Sequence, residues 1–231
     1  MMKLLLIFLA SLCAGHAGKQ ECSEKLFVFP VSSNDSFVKI IVTLEKPLTA
    51  ATMCMRYFSS LTRAQSLFSL ASLDHPNAFL LFKPSVGVYQ LQINGESLEV
   101  SGLHDETDDW NSVCWTWDSN NDLNTLWVNG KRSGPTILGA NASITGRPSI
   151  ILGQDQDNYG GGFDKAESFV GDITDVHLWS SAISPCEISL YMKGCDFTPG
   201  NLLNWRYPFL FTAGSVYEEL SDFVKLTCLF L

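Results

Sequence analysis

The sequence predicts an all-β protein, an antiparallel sandwich of short strands interrupted by one short helix. Three observations carry this expectation. Runs of β-branched and aromatic residues recur along the chain, separated by clusters of Ser, Asn, Asp and Pro. Two Asn-Gly pairs, Asn94-Gly95 and Asn129-Gly130, sit between such runs and mark tight hairpins. Only one stretch, Ser184 to Gly194, carries a full set of helix signals.

The elements follow in order. Residues 1–17 open with Met-Met-Lys, continue with the apolar run Leu4 to Ala10 and end in small residues near Ala17, the pattern of a secretory leader rather than a membrane span. The strand-like runs are 27–30, 37–44, 52–58, 67–70, 79–82, 86–93, 112–117 and 126–128. Their spacing reads as a sandwich. Ile150 to Leu152 then feed a glycine-rich loop, after which Phe169 and Val170 return to strand-like residues. For the helix, Ser184 is the N-cap, Pro185 the first helical residue, Glu187 completes a capping box, Ile183 and Ile188 form a staple, and Gly194 is the stop. This predicts about two turns over 185–193, packed through Ile188, Leu190 and Met192.

Residues 18–231, about 210 in number, suit a single β domain. No stretch after the leader reaches the length of a membrane span, so an exported, soluble chain is expected. With 24 acidic against 15 basic residues, a nucleic-acid backbone is disfavoured as the main partner. Six cysteines follow the leader, Cys22, Cys54, Cys114, Cys186, Cys195 and Cys228, an even number that suits an oxidising compartment. An intact helix holds Cys186 and Cys195 about 13 Å apart, beyond the roughly 7 Å a disulfide spans. They pair elsewhere, with Cys22 or Cys228, or the helix ends early. Asn34 and Asn141 head Asn-x-Ser triplets and are glycan candidates.

The chemistry concentrates in the loop after Leu152. Asp155, Asp157, Asp164 and Glu167 lie within thirteen residues, with Lys165 as the only counter-charge in the loop. Such crowding calls for a bound cation. The donors are all oxygens, which favours a hard ion, and a flexible loop with backbone carbonyls such as that of Gln156 suits calcium. Four negative charges balance two calcium ions bridged by Asp155 and Asp157. An EF-hand is rejected: counted from Asp155, Tyr159 stands where a ligand belongs and Ala166 where the bidentate Glu belongs. A glycosidase pair is also disfavoured, because nothing apolar surrounds either carboxylate. His75, His104 and His177 accompany no nucleophile motif and read as surface or core residues. The tryptophans read as core, with Trp110, in a polar loop, the one most exposed.

The loop from Gly153 to Asp172, together with Cys114-Trp115-Thr116-Trp117, Trp127-Val128-Asn129-Gly130, Ser184-Pro185 and Leu203-Asn204-Trp205, resembles the pentraxins, above all their short secreted members. The resemblance runs from about Phe27 to Trp205, and the chain after Arg206 diverges. It implies a flattened jelly roll with one helix, a non-enzymatic secreted protein, and two calcium ions per chain. Asn77, Asp155, the carbonyl of Gln156 and Asp157 match first-ion or bridging ligands, and Asp164 and Glu167 match second-ion ligands. Pro76 stands where the family has Asp, with Asp74 two residues earlier as the nearest acid. Phe82 matches the residue that packs on choline methyl groups, and the acid facing the ammonium falls at Glu96 or Ser97. Cys54 and Cys114 match the shared disulfide, and Ser112 replaces a signature His.

The same resemblance implies an innate-immune, acute-phase, lectin-like recognition protein. Its partners would be phosphocholine-type or carbohydrate ligands on microbes and damaged cells, with assembly as a homopentamer and hand-over to complement and phagocyte receptors. The alternative is a calcium-dependent adhesion module of laminin-G type.

Overall fold

The computed structural model describes residues 24–121 and 123–221, so the leader, Cys22 and Cys228 lie outside the described residues. In chain order the first strands are β1 Glu24–Phe29, β2 Phe37–Ile40, β3 Ala50–Phe58, β4 Gln65–Ala71, β5 Phe79–Ser85, β6 Val88–Ile93 and β7 Glu96–Ser101. They are followed by β8 Trp110–Asp118, β9 Leu123–Val128, β10 Lys131–Arg132, β11 Thr136–Ile137 and β12 Ser149–Leu152. A 3-10 turn at Lys165–Glu167 precedes β13 Gly171–Trp179, helix α1 Pro185–Met192, β14 Leu210–Ala213 and β15 Tyr217–Ser221.

These strands form two antiparallel sheets packed as a sandwich. The first runs β10-β9-β8-β3-β13-β1-β15, with β11 also on β9, and the second runs β14-β2-β12-β4-β5-β6-β7. Alternate residues of each strand meet in the centre, as a period of two requires. Met53, Met55, Tyr57, Trp115, Trp117 and Ile173 from the first sheet pack against Phe68, Leu70, Phe79, Leu81, Ile150 and Leu152 from the second. Phe79 stacks on Trp115 with ring centroids 3.8 Å apart. Burying a side chain of this size contributes about 1.5–3 kcal/mol, so this layer is the main source of stability.

The outer face of the first sheet is covered by α1. Cys54 and Cys114, directly opposite each other on β3 and β8, form a disulfide there, packed with Trp179, Ile188 and Tyr191. Beside it Arg56 Nε donates to Asp175 at 2.9 Å and Arg56 Nη1 donates to Ser112 Oγ at 2.7 Å, which gives Ser112 a structural role remote from the acidic loop. The N-cap is as expected, with Ser184 Oγ accepting from Glu187 N at 3.2 Å. The other half of the capping box is not formed, because Glu187 Oε2 accepts from Thr198 N instead, where the chain turns back along the helix. The helix packs through Ile188 and Tyr191, both buried, and Met192, partly buried against them; Leu190 is not part of this face and Tyr191 takes its place. Residues two apart cannot share a helix face, whereas residues three or four apart do.

Several boundaries differ from expectation. The run 37–44 is a strand only to Ile40, the last of its residues that pairs with β12 and β14. The run 86–93 is split from β5 by a turn at Val86-Gly87, where Gly87 has φ +72°. The strand after the acidic loop begins at Gly171, just past Phe169 and Val170. Trp110 is half-buried rather than exposed, its ring tilted against Phe58. Cys186 and Cys195 are free thiols among the described residues. No helix of the described residues is long and apolar enough to cross a membrane.

Candidate functional site

The acidic loop folds back over the outer face of the second sheet, the face opposite α1, and protein contacts fix its course. Gly153 turns the chain off β12 with φ +86°, and a Cβ there would stand 2.3 Å from Phe29 Cε1, so no other residue fits. Gln154 Nε2 donates to the carbonyls of Ser33 and Ser36 at 2.7 and 2.8 Å. Gln156 is fully buried, its Nε2 donating to Ser69 O and Ser149 O, each at 3.0 Å, and its Oε1 accepting from Gly160 N at 2.9 Å. Further along, Phe163 packs on Phe37 at 5.1 Å, and Asp164 caps the 3-10 turn by accepting from Ala166 N at 2.8 Å. Phe169 N donates to Gly153 O at 2.9 Å and closes the base of the loop.

With its side chain so committed, Gln156 contributes its backbone carbonyl to the site. The Asn77 amide, in the β4–β5 turn, lies 3.3 Å from that oxygen, 3.1 Å from Asp155 Oδ1 and 3.3 Å from the carbonyl of Pro76, with its far end 3.2 Å from Gln92 Oε1. Turned nitrogen-inward, the amide donates to these acceptors. Turned oxygen-inward, it completes a set of four oxygens whose mutual repulsion only a cation removes. Pro76 thus meets the cluster through its carbonyl, where a carboxylate was expected. Asp74 lies exposed earlier in the same turn.

The carboxylates share one field. Asp155 is pushed up to about 7, first by burial, then by Glu167, with Asp157 adding to the rise. Burial, and then Asp157 and Asp164, raise Glu167 as well. Among the described residues no three His, Cys, Asp or Glu side chains cluster as metal ligands. The convergence at Asn77 is instead built from one carboxylate, one amide and two carbonyls. This all-oxygen set, with Asp157, Asp164 and Glu167 close behind it, fits a hard cation and offers nothing to a soft one. One further positive group approaches from outside the loop: a Cβ on Gly160 would lie 3.7 Å from Lys39 Nζ.

Beside this cluster, sheet register decides which residues share the face. Phe82, only 8 % exposed, stands opposite Ser66 and Gln90, and Gln90 opposite Glu99; in the next row Leu80, Gln92 and Ser97 align. Ser97 is therefore on the face, with Gln90 Nε2 donating to its Oγ at 2.9 Å. Glu96 is turned to the other side, where its Oε2 accepts from Gly139 N at 3.0 Å. The acid on the face is Glu99. Sequence reasoning missed Glu99 and Gln92, although the alternation of Gln90, Leu91, Gln92 and Ile93 marks both glutamines as outward. The Ser66 hydroxyl, buried beside Phe82, has no hydrogen-bond partner among the described residues.

His104, exposed near Glu106, and His177, buried beneath α1 and hydrogen-bonded to Asp175, stand apart from this site, whereas His75 lies in the β4–β5 turn beside Pro76, its backbone N donating to Ser72 Oγ at 3.1 Å.

Comparison with known proteins agrees with this architecture. The model of the Pentaxin family matches residues 25–217. Serum amyloid P-component of Rattus norvegicus is 41 % identical over 196 residues, which cover 85 % of each chain. C-reactive protein of Sus scrofa is 39 % identical over 220 residues, covering 95 % of this chain and 98 % of that one. Among solved structures, a heptameric SAP-like pentraxin from Limulus polyphemus superposes with a TM-score of 0.78 at 23 % identity, over 87 % of this chain and 96 % of that one. The chain belongs to the pentraxin family.

Proposed function

We propose that this protein is a secreted, calcium-dependent recognition protein of innate immunity that binds phosphorylated or carbohydrate ligands through the outer face of its second sheet. The observation that carries the reading is the convergence of the Asn77 amide, Asp155 and the Gln156 and Pro76 carbonyls next to Asp157, Asp164 and Glu167. In it, Asn77, Asp155, Asp157 and the Gln156 carbonyl would hold a first calcium ion, and Asp164 and Glu167, together with Asp155 and Asp157, would hold a second. Bound calcium supplies open coordination positions to phosphate or carboxylate oxygens. The chain's own residues orient the rest of the ligand: Phe82 offers an apolar surface, Ser97, Gln90 and Gln92 offer hydrogen bonds, and Glu99 offers a negative charge to an ammonium group.

One such site binds weakly. A ring of copies presenting the same face gains avidity on a repetitive surface, such as a microbe or a damaged membrane. A pentamer is the expected assembly, with α1 on the opposite face free for complement or phagocyte receptors. Family membership supports a binding role over an enzymatic one.

The test is retention of the secreted protein on immobilised phosphocholine in calcium, release by chelator, and light scattering of the eluate. Retention, release and a mass near five chains support the reading. Flow-through from phosphocholine with calcium-dependent retention on agarose assigns a carbohydrate ligand instead. Flow-through from both contradicts it.

A further inference from the structure

The two Asn-x-Ser triplets stand in unlike surroundings. Asn34 is exposed before β2, but its Ser36 is 2 % exposed and fully engaged. Ser36 Oγ accepts from Ser215 N at 3.0 Å, lies 3.0 Å from Ser215 Oγ and donates to Asp35 Oδ1 at 3.2 Å. The hydroxyl of that triplet is part of the seam between β2 and the β14–β15 turn. Asp35, the middle residue of this triplet, adds a carboxylate to it.

Asn141 differs on each count. It and Ser143 are both exposed, neither side chain has a hydrogen bond among the described residues, and the residue between them is Ala142. Asn141 adopts φ +55°, a left-handed turn conformation that Asn tolerates. The turn is held from both sides. Gly139 N donates to Glu96, Ala142 N donates to Gly139 O at 3.2 Å, and Asn94 Nδ2 donates to Ser143 O at 3.2 Å. Gly139 itself cannot be larger, since a Cβ would stand 2.5 Å from Ile93 Cγ2.

We infer that Asn141 carries an N-linked oligosaccharide and that Asn34 does not. The donor is an oligosaccharide on a polyprenyl diphosphate. The Asn141 Nδ2–C1 bond forms as the bond from C1 to the diphosphate oxygen breaks. The diphosphate leaves with that electron pair, and the amide gives up one proton. An anionic donor is repelled at Asn34 by the adjoining Asp35, whereas the residue adjoining Asn141 is the uncharged Ala142. The position matters for recognition. Asn94 and Gly95 bond through their backbones to Ala78 and Asn77, so the Asn141 turn stands one hairpin away from the convergence of oxygens at Asn77. A sugar there flanks the ligand face on that side.

This inference rests on the secreted reading above, and the experiment separates the two. The full chain is produced in cultured animal cells in two arms, one with its own leader and one with an unrelated secretory leader. Protein from the medium is mapped by peptide mass spectrometry before and after enzymatic release of N-glycans. Sugar is expected on the Asn141 peptide and absent from the Asn34 peptide. Asn141→Gln and Ser143→Ala should abolish the gel shift, while Ser143→Thr and Asn34→Gln keep it. Chain recovered from the medium with unmodified Asn141, or with sugar on Asn34, overturns the inference. Retention of only the own-leader arm inside cells counts instead against the secreted reading, and the second arm still decides the glycan.

Discussion

Replacing Asp155 by Asn keeps the shape of the side chain and removes one charge, and its effect should change sign with calcium. Burial and the neighbouring acids raise Asp155 from 3.8 to about 7. A carboxyl whose folded value is raised binds its proton more tightly when folded. Its favourable contribution is therefore full below about pH 4 and is lost as the pH rises through about 7. A rise of about three units corresponds to a ceiling of roughly 4 kcal/mol, and solvent around this half-buried group reduces that to about 1–2 kcal/mol. In chelator at pH 8, Asp155→Asn should raise Tm by roughly 2–8 °C, at about 2–4 °C per kcal/mol for a domain of this size. The gain should shrink at pH 5. With millimolar calcium the same variant should lose most of the ligand-induced rise in Tm, because binding to the folded state stabilises it only as far as the site survives. Scanning calorimetry in both buffers reads both signs. A variant less stable than wild type in chelator at pH 8, or one with an undiminished calcium shift, would refute the reasoning.

Further perturbations probe the scaffold. The Cys54–Cys114 bond closes a separation of 60 residues, so replacing both cysteines by Ala should cost about 4 kcal/mol, read as a lower guanidinium midpoint; an unchanged midpoint contradicts this. Gly153→Ala forces a Cβ into Phe29 at a left-handed backbone position and should cost about 1–3 kcal/mol in the same assay, against none if the loop simply shifts. Phe163→Ala removes the ring that seats on Phe37, and hydrogen exchange should quicken across 158–164 while β3 and β8 stay protected. Uniform quickening would show that the ring supports the whole fold instead.

Much of this was legible in the sequence because period and punctuation are local signals. Runs of β-branched and aromatic residues between turn residues located most of the long strands, and Ser184-Pro185 with Gly194 located the helix. The crowding of Asp155, Asp157, Asp164 and Glu167 located the loop without any contact information. What escaped depends on partners distant in the chain. Whether Glu96 or Ser97 faces the ligand side follows from the register of β7 on β6, which a shift of one residue reverses. β14 and β15 are edge strands with Phe211, Tyr217 and Leu220 exposed, so they show no one-sided apolar pattern to read. The role of Pro76 is carried by its backbone carbonyl, which side-chain identity does not reveal. Glu187 was assigned to the cap by spacing, and it was the return of the chain at Thr198 that diverted it.

Isothermal titration of calcium into chelator-stripped protein decides whether the outer-face loop is a calcium site. Two ions bound per chain, with binding lost in Asp155→Asn, is the predicted result. No binding, in protein whose circular dichroism confirms the folded sandwich, would contradict it.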